Sequence, residues 1–446
     1  MAKVIVHGAG GMVTGSSYEI VSNKGTHLLI DFGMFQGPEE ISELNFENLK
    51  FDPKKLEGVF LTHAHLDHCG RLPLLVKNGY NKNIYMTRAT ADLVDIALHD
   101  TANINEHDDR PDLFDTADVN RTLSLFKPIE YHVPLAISDF VLSYYDAGHI
   151  LGSASIEVKV DGEIIAFSGD LGNSPEDLIK PTEKINEANY VFLESTYGGR
   201  IHPDESSEEI LRKEINTIEI TGGALLIPAF SIERTQILLH LIDHFKKDGK
   251  IKPETKVFLD SPMASKVTKI FKKYPDLYNR KLLEHASKDD PFSFPGLATT
   301  DSVLESKNII KSRGAKVIIA GSGMMTGGRI LHHAIHFLPQ DTTRLLIVGF
   351  QAKGTMGRRI NEGERDIKIY GKRVKIRAQI TEISGLSAHA DQPQLLDWLR
   401  AMKKIKQIIL IHGEDEERMV LAEKIKTDLG YQNILLPKLF EEINLS

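Results

Sequence analysis

The sequence predicts an α/β protein built of two units, one inserted into the other, on three observations. Short apolar runs near both ends of the chain stop on a histidine or a carboxylate: HLLIDFG at Asp31, GVFLT before His63, EIIAFSGD at Asp170, NYVFLEST at Glu194 and QIILIHGE at His412. Between about residues 206 and 370 the pattern becomes alternating strand and helix, which reads as a doubly wound parallel sheet. At 446 residues the chain is too long for one ordinary core, since domains average ~150 residues. The expected division is 1–205 and 371–446 for the outer unit, with 206–370 inserted.

Composition narrows the classes. The net charge of −8 weighs against a surface coated for nucleic acid, because tight phosphate binders carry a basic excess. Local clusters run against that sum: Lys246, Lys247, Lys250, Lys252 and Lys256, then Lys368, Lys372, Arg373, Lys375 and Arg377. A single cysteine, Cys69, excludes an internal disulfide and fits a reducing compartment; it reads as a small buried thiol. The start MAKVIVHGAGG has no long apolar segment, and no run approaches the ~20 apolar residues of a membrane span. A soluble, cytoplasmic protein without a membrane partner is expected.

Taken in order, VIVHGAGGMVTGSSYEIV (4–21) invites a dinucleotide-binding reading that fails, because GxGxxG from Gly8 meets Val13 where glycine is needed. A glycine-rich hairpin beside the site is expected instead. Asp31 ends a buried strand and must find a partner there, which makes it a support for a neighbouring ligand. Residues 87–126 read as helix, with Asp108, Asp109, Asp112, Asp115 and Asp118 on a solvated surface. His149 follows in a glycine-flanked loop. In the inserted stretch, strand ends carry small polar loops at PAFSIERTQ (228–236), DSPMAS (260–265) and GSGMMTGGR (321–329). Backbone amides and hydroxyls there suit phosphate, through Ser231, Ser261 and Ser322, with Arg234 and Arg329 either contacting phosphate or closing a helix. From about residue 371 the earlier style resumes, through KIRAQITEISGLSAHAD to His389 and Asp391.

The chemistry concentrates in THAHLDHCGRLP, where His63, His65, Asp67 and His68 fall within six positions. Imidazole and carboxylate together suit Zn²⁺ or a neighbouring transition metal. Side chains two apart on an extended segment point one way, so His63 and His65 can grip one ion. Asp67 and His68 lie beyond the turn and face elsewhere, which implies a second ion.

Asp31, the HxHxDH run at 63–68, AGH ending at His149 and SGD ending at Asp170 resemble the four motifs of the metallo-β-lactamase fold. ESTYGG from Glu194, SAHAD around His389 and HGE from His412 look like the three further motifs of its β-CASP branch, known for nucleases. The resemblance spans nearly the whole chain and implies an αββα sandwich carrying an inserted β-CASP domain. It implies two Zn²⁺, with Mn²⁺ as an alternative: His63, His65 and His149 on one, Asp67, His68 and His412 on the other, and Asp170 bridging both. Asp31 is then a support holding a ligand ring, His389 the proton donor to the leaving group and Glu194 the group orienting it, while Asp67 serves catalysis as well as the metal. Histidine at position 412 resembles RNA-directed members more than the DNA-repair ones. Glu233, beside Arg234, departs from the glycine often found there.

The expected activity is therefore hydrolysis of RNA phosphodiesters by metal-activated water, most readily internal cleavage of a single strand, with a homodimer compatible with the sequence. The competing reading is a small-molecule hydrolase of the same fold acting on a thioester or lactam. Against it stands the large insert, which would roof a long cleft.

Overall fold

The computed structural model describes residues 2–105, 112–174, 178–202, 206–383 and 385–445. It divides into two units, one comprising Met1–Ile201 with His389–Ser446, the other His202–Ala388.

The first unit is an αββα sandwich. One seven-stranded sheet runs, in spatial order, Glu442–Asn444, Lys3–Gly8, Ser17–Val21, His27–Ile30, Leu56–Phe60, Ile84–Met86 and Phe126–Pro128. The other runs Ile434–Leu435, Gln407–Ile411, Tyr190–Glu194, Glu163–Phe167, Ala154–Val160, Phe140–Asp146 and Leu135–Ile137. Their inner faces form one core: Val4, Val6, Ile20 and Phe60 from the first meet Phe140, Ile156, Phe167 and Phe192 from the second. Alternation decides this, since consecutive strand residues face opposite ways. Ala166, Val191, Leu193 and Ile408 point outward and pack on helices Gln392–Arg400 and Asp415–Leu429 through Trp398, Leu399 and Leu421.

The N-terminal segment is the hairpin read from its glycines, Lys3–Gly8 against Ser17–Val21. The stretch 87–126, read as helical throughout, holds helices Arg88–Asn105 and Thr116–Leu123, and its end turns into strand Phe126–Pro128. Asp108 and Asp109 lie outside the described residues. Asp112 and Asp115 are exposed as expected, but Asp118 is buried. The reason is a capping box: the Asp115 carboxylate accepts from Asp118 N at 2.8 Å, and the Asp118 carboxylate accepts from Asp115 N at 3.2 Å.

The second unit is built on a parallel sheet in the order Leu297–Thr299, Lys256–Asp260, Lys316–Ala320, Ala224–Pro228, Arg344–Ile347 and Gln379–Glu382. Its sequence alternates strands with helices, among them Arg234–Lys247, Pro262–Lys273 and Arg329–Phe337. The chain stays in this unit beyond residue 371 because Gln379–Glu382 pairs with Arg344–Ile347 and completes the sheet. Among the described residues, no helix is long and apolar enough to cross a membrane.

Candidate metal centre

Strand ends deliver the site, as expected of buried strands whose last side chains turn polar. His63 follows strand Leu56–Phe60, and the one-turn helix Leu66–Cys69 carries Asp67 and His68 round to the same place. His149 comes from the loop after Phe140–Asp146, Asp170 from the end of Glu163–Phe167, Glu194 from the end of Tyr190–Glu194 and His412 from the end of Gln407–Ile411. His63, His68, His149, Asp170, Glu194 and His412 are all buried.

Two donor groups hold the expected ligands, and a third overlaps them by joining Glu194 to Asp170 and His412. In the first, His63, His65, His149 and Asp170 each offer an atom within 4.8 Å of the others. His63 Nε2 lies 3.1 Å from His65 Nδ1, and His149 Nε2 lies 3.2 Å from the same atom. A tetrahedral zinc with bonds of ~2.0–2.1 Å separates its ligand atoms by about 3.3 Å, so these spacings fit one ion. Asp67, His68 and His412 form the second group. His412 Nε2 lies 3.4 Å from Asp67 Oδ2, and the His63 and His68 ring centroids are 4.0 Å apart, so the two groups adjoin.

Asp170 faces both. Its Oδ2 is 3.5 Å from His63 Nε2 and 3.6 Å from His149 Nε2, while Oδ1 is 3.4 Å from His68 Nε2 and 3.5 Å from His412 Nδ1. Oδ1 is buried without a hydrogen bond among the described residues. A desolvated carboxylate oxygen aimed between imidazoles calls for a cation. Burial, reinforced by His68, holds His63 well below its usual range, and burial pushes His65 down to about 4, so both rings keep the lone pair a metal needs. The donor set therefore fits metal on its own chemistry.

Supports surround it. Asp31 accepts from Thr62 N at 2.8 Å, Thr62 Oγ1 at 2.8 Å and the His68 Nδ1–H at 2.7 Å, which fixes the tautomer that leaves His68 Nε2 as a donor to metal. Gly33 is required here: a Cβ would stand 1.6 Å from Asp67 O. Thr62, Ser16 and Thr196 were not read from sequence, although Ser16 Oγ lies 3.4 Å from His68 Nε2 and Thr196 Oγ1 lies 3.1 Å from His412 Nδ1. Hydroxyls are too common for residue type alone to have found them. Cys69 donates from Sγ to Ala64 O at 3.4 Å, and burial pushes its thiol well up, so it stands apart from the ligands.

His389 joins the centre from a distant segment. It bridges Gly172 in antiparallel fashion, and the neighbouring Ala390 N donates to Leu171 O at 2.8 Å. Its Nδ1–H donates to Glu194 Oε1 at 3.2 Å, and its ring lies 4.7 Å from that of His149. Burial opposes charge on this ring, but the Glu194 and Asp170 carboxylates outweigh it and hold His389 at about 9. Glu194 is itself fixed, accepting from Leu171 N at 2.8 Å and Thr196 N at 3.2 Å. A Cβ on Gly172 would meet Gly148 O at 1.7 Å, so glycine there lets the His149 and His389 segments approach.

The polar loops of the second unit gather at one end of its sheet, after Ala224–Pro228, Lys256–Asp260 and Lys316–Ala320. Ser231 Oγ lies 3.3 Å from Ser261 Oγ, and Ser322 Oγ lies 3.0 Å from Thr326 Oγ1. Arg234 opens helix Arg234–Lys247 and is buried. Arg329 donates to Asp260 Oδ1 at 2.7 Å, Thr300 O at 3.0 Å and Asp301 O at 3.0 Å, which ties its guanidinium to the ends of strands Lys256–Asp260 and Leu297–Thr299. Of the first basic cluster, Lys246 donates to Pro253 O, Thr255 O and Pro295 O, and Lys247 pairs with Asp243 and Asp289. These two lysines are structural ties. In the second cluster, hairpin strands Asp366–Ile369 and Lys372–Lys375 turn Lys368, Lys372, Arg373 and Lys375 outward, with Arg373 paired to Asp366.

Three family models match the chain: the Metallo-beta-lactamase superfamily over residues 10–219, the Beta-Casp domain over 235–360 and the Zn-dependent metallo-hydrolase RNA specificity domain over 373–437. The chain is 36% identical over 425 residues to Ribonuclease TTHA0252 of Thermus thermophilus, covering 94% of this chain and 95% of that protein. It is 30% identical over 433 residues to Transcription termination factor FttA of Methanocaldococcus jannaschii, covering 94% and 68%. An RNase J-like protein of the same organism is 28% identical over 449 residues, covering 98% and 100%. A crystal structure of a protein of unknown function from Enterococcus faecalis shares the fold, with a TM-score of 0.53 at 12% identity, covering 100% of both chains.

Proposed function

The chain belongs to the metallo-β-lactamase superfamily, in the group that carries a Beta-Casp domain, and from that membership we propose that it is a zinc-dependent ribonuclease. The observation that carries the reading is Asp170, with one oxygen toward each donor group and His389 beside them. His63, His65 and His149 would hold one zinc, Asp67, His68 and His412 a second, with Asp170 shared between them; Mn²⁺ is the alternative ion. When bound, two such ions acidify water, orient it and neutralise charge on phosphate oxygens.

The chain's own groups do the rest. Asp31 and Thr62 hold the His68 ring, and Thr196 holds His412. His389, kept protonated by Glu194, donates its proton to the departing ribose oxygen, the step for which a charged imidazole is suited at neutral pH. Attack by water rather than by the 2′-hydroxyl leaves a 5′-phosphate and a 3′-hydroxyl. The RNA specificity match at 373–437 and the ribonuclease relatives favour RNA over a thioester or lactam. Single-stranded RNA and internal cleavage are proposed, with Ser231, Ser261 and Ser322 as phosphate contacts. The test is product analysis of 5′- and 3′-labelled single-stranded RNA with zinc-loaded protein. Internal fragments bearing 5′-phosphates are expected; release of mononucleotides alone overturns internal cleavage, and intact RNA overturns the ribonuclease reading.

A further inference from the structure

The second unit holds a group of three imidazoles that the hydrolytic chemistry does not use. His240 and His244 are four residues apart on helix Arg234–Lys247, which places them on one face. His285 comes from helix Arg280–Ala286. Their ring centroids lie 4.5, 5.3 and 5.0 Å apart, and each ring offers a nitrogen within 4.8 Å of the other two. We propose that His240, His244 and His285 bind a divalent transition metal of the zinc type, which clamps these two helices together.

Four features support the site. Nδ1 of His240 and Nδ1 of His285 are buried with no hydrogen bond among the described residues, and His240 is only 7% exposed. A native interior seldom leaves such an atom without a partner, and a metal ion would take its lone pair. Burial, with His244 and His285 adding to it, pushes His240 down to about 3, so the ring is free of an extra proton at neutral pH.

The second feature is Asp243. Its carboxylate is fully buried, and Oδ2 lies 3.4 Å from His285 Nε2, the arrangement in which a carboxylate orients a ligand ring from behind. Lys247 also lies 2.9 Å from His285 Nε2, and it pairs with Asp243 Oδ2 at 2.8 Å and Asp289 Oδ2 at 2.9 Å. The third hydrogen of the ammonium is therefore donated to the Nε2 lone pair; metal on Nδ1 requires the proton on Nε2 instead, where Asp243 Oδ2 accepts it while Lys247 keeps its two carboxylates.

The third is ligand type. Three imidazoles without a carboxylate in the donor group select zinc and its neighbours over magnesium or calcium, which prefer oxygen. The fourth is access: His244 is partly exposed, which opens the site to solvent and leaves a fourth position for water. Such an ion binds the folded unit and stabilises it by mass action.

The test uses the full chain, stripped with chelator and then dialysed against Zn²⁺. Native protein should hold one more zinc per chain than His244→Ala or His285→Ala, a difference independent of how many ions the hydrolytic centre takes. Amide hydrogen exchange supplies a second reading on native protein alone. Zn²⁺ should slow exchange over Arg280–Ala286 in native protein and leave it unchanged in His244→Ala, with circular dichroism checking that the variants fold. Equal zinc in native protein and both variants overturns the proposal, as does exchange over Arg280–Ala286 that Zn²⁺ does not slow in native protein.

Discussion

The Nδ1–H of His389 donates to Glu194 Oε1 at 3.2 Å, although 195 residues separate the two in the chain. A histidine that donates a proton while touching no metal should matter to chemistry alone. His389→Ala is expected to lower cleavage by roughly 10²- to 10⁴-fold, while zinc content and RNA affinity stay near wild type. A p-nitrophenyl phosphodiester, with its better leaving group, should narrow that deficit. The same deficit for both leaving groups, or loss of zinc in the variant, would withdraw the proton-donor role.

The Glu194 contact sets a pH dependence. The donor form of His389 is the protonated one, so activity that depends on it falls as pH rises through its pKa. Glu194 raises that pKa, hence Glu194→Gln should move the alkaline limb of the kcat profile to lower pH. An alkaline limb that stays in place in this variant would show that another group sets it.

Asp170 should separate from the other ligands by metal count. It faces both donor groups, whereas Asp67 faces one. Elemental analysis is expected to give two zinc per chain from these groups in native protein, about one in Asp67→Ala and close to none in Asp170→Ala. An Asp170→Ala protein that loses only one ion would make Asp170 a ligand of a single site.

Much of this was legible in the sequence because it is local. The six-residue spacing from His63 to His68 survives folding unchanged, and an apolar run ending in a polar residue places that residue at a strand end wherever the strand goes. What folding decides at long range was not legible. Thr62 touches Asp31 and His68 only after strands His27–Ile30 and Leu56–Phe60 pair. The second unit runs to Ala388 because Gln379–Glu382 owes its place to pairing with Arg344–Ile347, which local pattern does not encode. Asp118 was read as solvated from composition, and a capping box buries it. The imidazole group of the second unit is not legible in the sequence because His285 is 41 residues beyond His244, and only His240 and His244 are helix neighbours.

Acid should reach the second unit through Asp260. Burial opposes its charge, but His333, Ser306, Thr300 and Arg329 surround the carboxylate and hold it below its usual range. An Asp lowered on folding adds stability that is present above its unfolded pKa of ~3.9 and is lost as pH falls through the folded value. Amide hydrogen exchange in strands Lys256–Asp260 and Lys316–Ala320 should therefore accelerate below about pH 4. Asp260→Asn should remove that acid dependence and cost about 3–5 kcal/mol at neutral pH, because Arg329 and His333 lose their buried partner. An Asp260→Asn protein with wild-type stability would mean that these two donors find other partners.

Asp31 offers the sharpest test of how the ligands are held. It touches His68 Nδ1 at 2.7 Å and Thr62 Oγ1 at 2.8 Å and lies in neither donor group, so its effect on metal must pass through the ring it orients. Its φ of 57° bends the chain out of strand His27–Ile30, a conformation asparagine also tolerates, so Asp31→Asn should fold. The substitution removes the charge that makes His68 a stronger donor and permits the ring to adopt the wrong tautomer. Chelator competition should then show a 10- to 100-fold weaker affinity for one of the two ions, with the other unchanged, because only the group containing His68 is touched. Thr62→Ala should weaken the same ion less, since Asp31 keeps its contacts with Thr62 N and His68. Equal weakening of both ions in Asp31→Asn would point to a general disturbance of the core, and unchanged affinity for both would remove Asp31 from any role in holding metal.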